Sequence, residues 1–188
     1  MNGHTLYRNI WLAQIPPTLD FLKKLIDENN FKYIVEIGTN RGGLSIWLND
    51  HKHAGCKFMT LDITSQHLQF SPETEGIDFQ LGSCFDTHKN KIIEILQQEG
   101  QVLLLCDGGN KNIEFNTFAG FLKTNDVIMC HDYIDDAETY SAAQSKYNWQ
   151  TPAESSISEI KESVNKFNLQ PYLYEDAKNS IWGCFKKS

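Results

Sequence analysis

Residues 33–48 read YIVEIGTNRGGLSIWL. An aliphatic run ends at a turn with glycines at 38, 42 and 43, and a mostly apolar segment follows. The stretch predicts a buried strand over 32–38, a glycine turn and a helix over 42–52. Within it, Glu36 takes a place where a core strand usually keeps another aliphatic residue. Two readings stand for this acid. It caps the helix or accepts amides in the turn, or it meets a ligand seated on the glycines.

Outward from this stretch, strands and helices alternate. Helix signals cover 16–30, where two prolines suit a helix start, then 90–100, 112–122 and 155–168. Strand signals cover 57–63, 77–83, 101–109 and 126–133. The segments LQPYLYEDA and SIWGCFKK read as two closing strands, a hairpin at the end of the sheet. Alternation of this kind makes crossover units and a mostly parallel sheet. The runs VLLL and VIMC are apolar at successive positions, as strands covered on both faces are. No linker or repeat divides the 188 residues, so a single domain spanning 1–188 is expected. The long insertion at 134–154, together with the 16–30 helix, is the expected cover of a substrate site.

The net charge is −7 and no basic stripe is present, which argues against a nucleic-acid partner. No apolar segment is long enough to span a membrane, so no membrane partner is expected. The N-terminus lacks the pattern of a secretion signal, and five cysteines without a CxxC pair suit a reducing, cytoplasmic setting. A homo-oligomer is left open.

In an open parallel sheet, ligands bind beyond the carboxyl ends of the strands. The polar residues at those ends are Glu36, Asp62, Ser83, Asp107 and the pair His131–Asp132. The first turn fails the Gly-x-Gly-x-x-Gly fingerprint of a dinucleotide site, because position 40 is Asn. Asp62, twenty residues beyond Gly42, stands where an acid reaches ribose hydroxyls. The ligand so described is a nucleoside with a cationic tail and no pyrophosphate.

VEIGTNRGG, LDIT and LGSC resemble the successive cofactor motifs of class I S-adenosylmethionine-dependent methyltransferases. The resemblance covers residues 30–135 and implies a Rossmann-like three-layer α/β sandwich, its mostly parallel seven-stranded sheet ending in an antiparallel C-terminal strand. It implies that Gly38 and Gly42 lie under the methionine part, with Glu36, Thr39 and Asn40 ordering that turn. It also implies that Asp62 holds the ribose and that Ile63, Gly82, Ser83 and Cys84 edge the adenine. The segment from Leu103 to Tyr133 is similar to the cephalosporin-hydroxylase-like and catechol-type small-molecule O-methyltransferases. In those, acids after the fourth and fifth strands bind a divalent metal, which implies Asp107 and Asp132 as ligands, with His131 a competent third. Oxygen ligands suit Mg or Mn, and the histidine favours Mn, Fe or Zn. Asp107 and His131 are the candidate catalytic residues, and Asp107 also borders the cofactor site. Asn110 replaces the histidine usual in that branch. The implied activity is O-methylation of a small hydroxylated molecule.

Blander readings accompany these. Asp62 and Asp107 suit turns, and His131–Asp132 also reads as a metal-free hydrogen-bonded pair. Lys111 reads as an aid to a developing alkoxide or, more simply, as a solvated lysine. His51, His53 and Cys56 lack a fourth zinc ligand. Tyr140, Tyr147 and Trp149 read equally as an acceptor wall or as a satellite core. Rival functions are a nicotinamide-dependent oxidoreductase, against which Asn40 speaks, a non-catalytic nucleoside-binding module, and a hydroxylase.

Overall fold

The computed structural model describes residues 5–135 and 137–188. The chain begins with a hairpin of β1 (Thr5–Tyr7) and β2 (Ile10–Leu12), followed by α1 (Pro17–Asp27), β3 (Phe31–Ile37), α2 (Gly43–His51) and β4 (Lys57–Asp62). Next come α3 (Pro72–Glu75), β5 (Asp78–Leu81), α4 (Lys89–Leu96), β6 (Gln101–Cys106), α5 (Lys111–Phe118) and β7 (Val127–His131). The final third holds β8 (Tyr133–Ile134), α6 (Ala137–Tyr147), β9 (Ser155–Ser156), α7 (Ile157–Lys166), β10 (Leu169–Pro171), α8 (Tyr174–Asn179) and β11 (Trp182–Lys187).

Seven strands form one sheet in the order β10-β11-β7-β6-β3-β4-β5. Strands β3 to β7 pair in parallel, and β11 enters antiparallel between β7 and β10. The expected three-layer sandwich with an antiparallel C-terminal strand is therefore the observed fold. Alternation along β6 supplies both cores. Leu103 and Leu105 pack on the face covered by α1 and α2, while Val102, Leu104 and Cys106 pack on the face covered by α4, α5 and α7. Helix α1 starts on a proline and buries Phe21, Leu22, Leu25 and Ile26 along one stripe.

Three segments differ from the sequence expectation. The hairpin at 5–12 was not foreseen; it turns on Arg8 and Asn9, both at positive φ, and Arg8 pairs with Asp50 and Glu75. The closing hairpin has only its outer parts as strands. Leu173 takes a left-handed conformation, and α8 follows with Glu175 and Asp176 at its favourable end and Ala177 buried. In the insertion, α6 packs with Ile15, Tyr140, Ala143, Trp149 and Ile181 as a satellite core. Among the described residues no helix is long and apolar enough to cross a membrane.

The sheet reverses its winding between β3 and β6, and there the two backbones nearly touch. A Cβ on Gly38, whose φ is +98°, would lie 2.1 Å from the carbonyl oxygen of Asp107. Gly38→Ala is expected to lose about 3 kcal/mol from backbone strain and overpacking combined. Urea unfolding of the variant beside the wild type checks this.

Candidate active site

Beyond the carboxyl ends of β3, β4, β6 and β7 lies a cavity of about 600 Å³. It is bordered by all the residues named from the strand ends: Glu36, Gly38, Thr39, Asn40, Gly42, Asp62, Ile63, Gly82, Ser83, Asp107, His131 and Asp132. The switch point of the sheet explains the convergence, since parallel strands deliver their last residues to one edge.

One half of the cavity is the glycine turn. Glu36 is the penultimate residue of β3 and is wholly buried. Its Oε2 accepts hydrogen bonds from Ser45 on α2 and from Thr60 on β4, the latter at 2.6 Å. Thr60 also meets the Thr39 hydroxyl at 2.6 Å, so Thr39 turns inward. Glu36 Oε1 is buried with no partner. Burial raises the Glu36 pKa to about 8, against the downward pull of its two hydroxyl donors. Glu36 neither caps α2 nor accepts a turn amide: two side-chain hydroxyls hold one carboxylate oxygen, and the other has no partner. Asp62 fixes the turn from β4, its Oδ2 accepting the Asn40 amide at 2.8 Å and its Oδ1 the Thr64 amide at 3.2 Å. The open side of Gly42 is filled by the Phe70 ring, and that of Gly43 by the backbone of Trp11 and Leu12. Ile63, 78% exposed, borders the cavity with Gly82 and Ser83. Ser83 Oγ accepts the Phe85 amide.

The other half gathers charge. His131 is 2% exposed, and its Nδ1 lies 2.9 Å from Asp107 Oδ1. A carboxylate only accepts, so the ring proton sits at Nδ1 in the neutral form. His131 Nε2 is buried without a partner, and the ring packs against Trp182 at 4.6 Å and Trp149 at 5.6 Å. Burial pulls the His131 pKa down, but Asp107 and Asp132 outweigh it and the net direction is upward. Asp132 is left-handed, with φ 50°, and its Oδ1 accepts from Trp149 Nε1 at 3.0 Å; the Tyr140 hydroxyl lies 3.5 Å from that oxygen and shares its proton with the Thr151 carbonyl at 3.0 Å. Trp149 therefore belongs both to the satellite core and to the cavity wall.

Three residues of this half escaped the sequence reading, and a fourth was read as solvent-facing. Gln14 donates from Nε2 to Asp107 Oδ2 at 3.0 Å and accepts from Trp182 Nε1 at 2.9 Å. Its signal was slight: one polar residue between apolar neighbours ahead of two prolines. Glu114 accepts the Gly108 and Asn110 amides and so fixes the loop after β6; burial raises its pKa to about 7. Glu154 reaches in from the insertion to Lys111. Lys111 itself corrects the expectation of a solvated side chain. It is 6% exposed, with Nζ bonded to Glu154, 3.4 Å from Asp132 Oδ2 and 3.8 Å from Asp107 Oδ1. Asp107, His131 and Asp132 do converge as expected, but among the described residues no three His, Cys, Asp or Glu side chains form a group able to hold a metal ion. The short zinc sequence is spent locally: His53 bonds to the Ile26 and Asn29 carbonyls, and His51 to that of Trp47.

No family model matches the sequence, and no curated protein matches it. Solved structures do match the fold. The apo structure of CmcI aligns at TM-score 0.70 with 16% identity, covering 97% of this chain and 76% of that one. A CmcI structure with Mg and S-adenosylmethionine aligns at 0.67 with 18% identity, covering 98% and 76%. An O-methyltransferase from Bacillus cereus in complex with S-adenosylhomocysteine aligns at 0.55 with 17% identity, covering 92% and 81%. The chain shares the α/β fold of these O-methyltransferases.

The buried Glu36 makes stability depend on pH. Its folded pKa of about 8 lies above the unfolded carboxylate value, so its contribution is full in acid and declines as pH rises through 8. Between pH 6 and 8 the wild type should lose on the order of 2 kcal/mol relative to Glu36→Gln. Paired denaturation curves across that window check the sign.

Proposed function

We propose that the chain is an S-adenosylmethionine-dependent O-methyltransferase acting on a small hydroxylated molecule. One observation carries the reading: the buried His131, held by a partly buried Asp107, and the unpartnered oxygen of Glu36 belong to residues that border the same cavity. The residues fit the cofactor. Glu36 Oε1 offers an acceptor to an ammonium, and Asp62 at the end of β4 offers acceptors to ribose hydroxyls. Ile63 and Gly82 give an edge for a base beside Ser83, and Gly38 and Gly42, packed against the Asp107 carbonyl and the Phe70 ring, fix the course of the turn along the cavity.

When bound, S-adenosylmethionine supplies a sulfonium-borne methyl group. The chain contributes alignment, because an in-line displacement is accelerated chiefly by holding the partners in register. It also handles the acceptor's proton. Asp107 holds the His131 ring with its proton at Nδ1, which leaves the lone pair at Nε2 to take that proton. As the ring becomes positive, Asp107 and Asp132 stabilise it. Trp149 and the 134–154 insertion border the acceptor side. Support also comes from the shared fold, in which CmcI carries Mg and S-adenosylmethionine and the Bacillus cereus enzyme carries the demethylated product.

Isothermal titration with S-adenosylmethionine, its demethylated product and NAD separates this reading from an oxidoreductase; binding of NAD alone would overturn it. A bound ammonium should also drive the proton off Glu36, giving proton release on titration near pH 7 that Glu36→Gln lacks. Turnover should rise with pH through an inflection above 6.5, since only neutral His131 accepts a proton. His131→Gln should lower kcat by about a hundredfold or more. Asp107→Asn removes the principal upward pull on the histidine, so its inflection should move to lower pH.

A further inference from the structure

The catechol-type resemblance implies a divalent ion between the acids that end β6 and β7, and the side chains there do not fit one as they stand. We propose that the ammonium of Lys111 is the resident cation of this site, occupying the position expected of a metal and making the acceptor half metal-independent.

Three observations carry this. Lys111 is 6% exposed, although lysine is seldom buried without partners. Its Nζ faces three carboxylates from separate parts of the chain: Asp107 after β6, Asp132 after β7 and Glu154 in the insertion. The remaining carboxylate donors are engaged too, Asp107 by Gln14 and His131, and Asp132 by Trp149 and Tyr140. Placing the partly buried Asp107 and the buried Asp132 around one point demands a countercharge, and the first residue of α5 delivers it. A divalent ion entering the cluster would be repelled by that ammonium. Lys111 would have to swing out, leaving Glu154 without its partner. The consequence for the acceptor rests on the methyltransferase reading; the charge assignment does not, because it is tested without cofactor or acceptor.

The experiment titrates Mn²⁺ into the full chain, following free ion by electron paramagnetic resonance and stability by thermal melting. Wild type is expected to hold no stoichiometric Mn²⁺ at about 1 mM, whereas Lys111→Met should gain one site at least about tenfold tighter. Lys111→Arg, which keeps the charge, should fold and bind no Mn²⁺. If Lys111→Met melts low, Mn²⁺ should raise its melting temperature and leave that of wild type unchanged. Stoichiometric wild-type binding abolished by Asp132→Asn would overturn the proposal. So would a Lys111→Met variant, folded or destabilised, that responds to Mn²⁺ no more than wild type does. Failure of wild type to bind S-adenosylmethionine would count against the methyltransferase reading alone.

Discussion

Where β3 and β6 end side by side, Gly38 lies directly on the carbonyl of Asp107, and the Asp107 amide donates back to Ile37 at 2.9 Å. This contact joins the two halves of the cavity. On one side the chain runs into the glycine turn with Glu36 behind it; on the other it runs into the carboxylate that holds His131, Gln14 and Lys111. A larger residue at 38 would push the strands apart and separate the halves. The distance between the glycine turn and His131 is therefore set by main-chain packing, the stiffest part of the fold.

The two halves treat negative charge differently. Glu36 is surrounded by hydroxyls and has no basic partner, so burial favours its protonated form. Asp107 and Asp132 sit beside Lys111 and His131, and there the charges answer one another. An uncharged acid that waits for an ammonium suits a reversible ligand. A fixed cluster of opposite charges suits groups that must keep one geometry through repeated turnover.

Much of this was readable in the chain because the signals were local. Strand-end acids follow apolar runs, and a parallel sheet brings such ends to one edge, so Glu36, Asp62, Asp107 and His131 could be grouped before any coordinates. The closing hairpin was read from the residues, and the antiparallel entry of its last strand into the main sheet came from family resemblance. Lys111 was misread because its burial depends on Asp132 and Glu154, which only folding brings near. Gln14 reaches Asp107 across 93 residues, and no spacing rule reports such a contact. Just before and at the start of α8, the run Tyr172, Leu173 and Tyr174 imitated a strand, and the left-handed turn at Leu173 with packing of α8 against α1 prevailed.

The bond between Gln14 and Trp182 also bears on how the chain comes together as it is made. Its two residues are 168 positions apart, so Gln14 leaves the ribosome long before its partner exists. The strand carrying Trp182 must then slot between β7 and β10, leaving the flank of β7 unpaired in every shorter nascent chain. Such an arrangement forms late and through distant contacts, which slows folding and exposes sticky edges meanwhile. Until β11 is in place, the sheet lacks the strand that joins β7 to β10, and Gln14 lacks its indole partner beside the pocket.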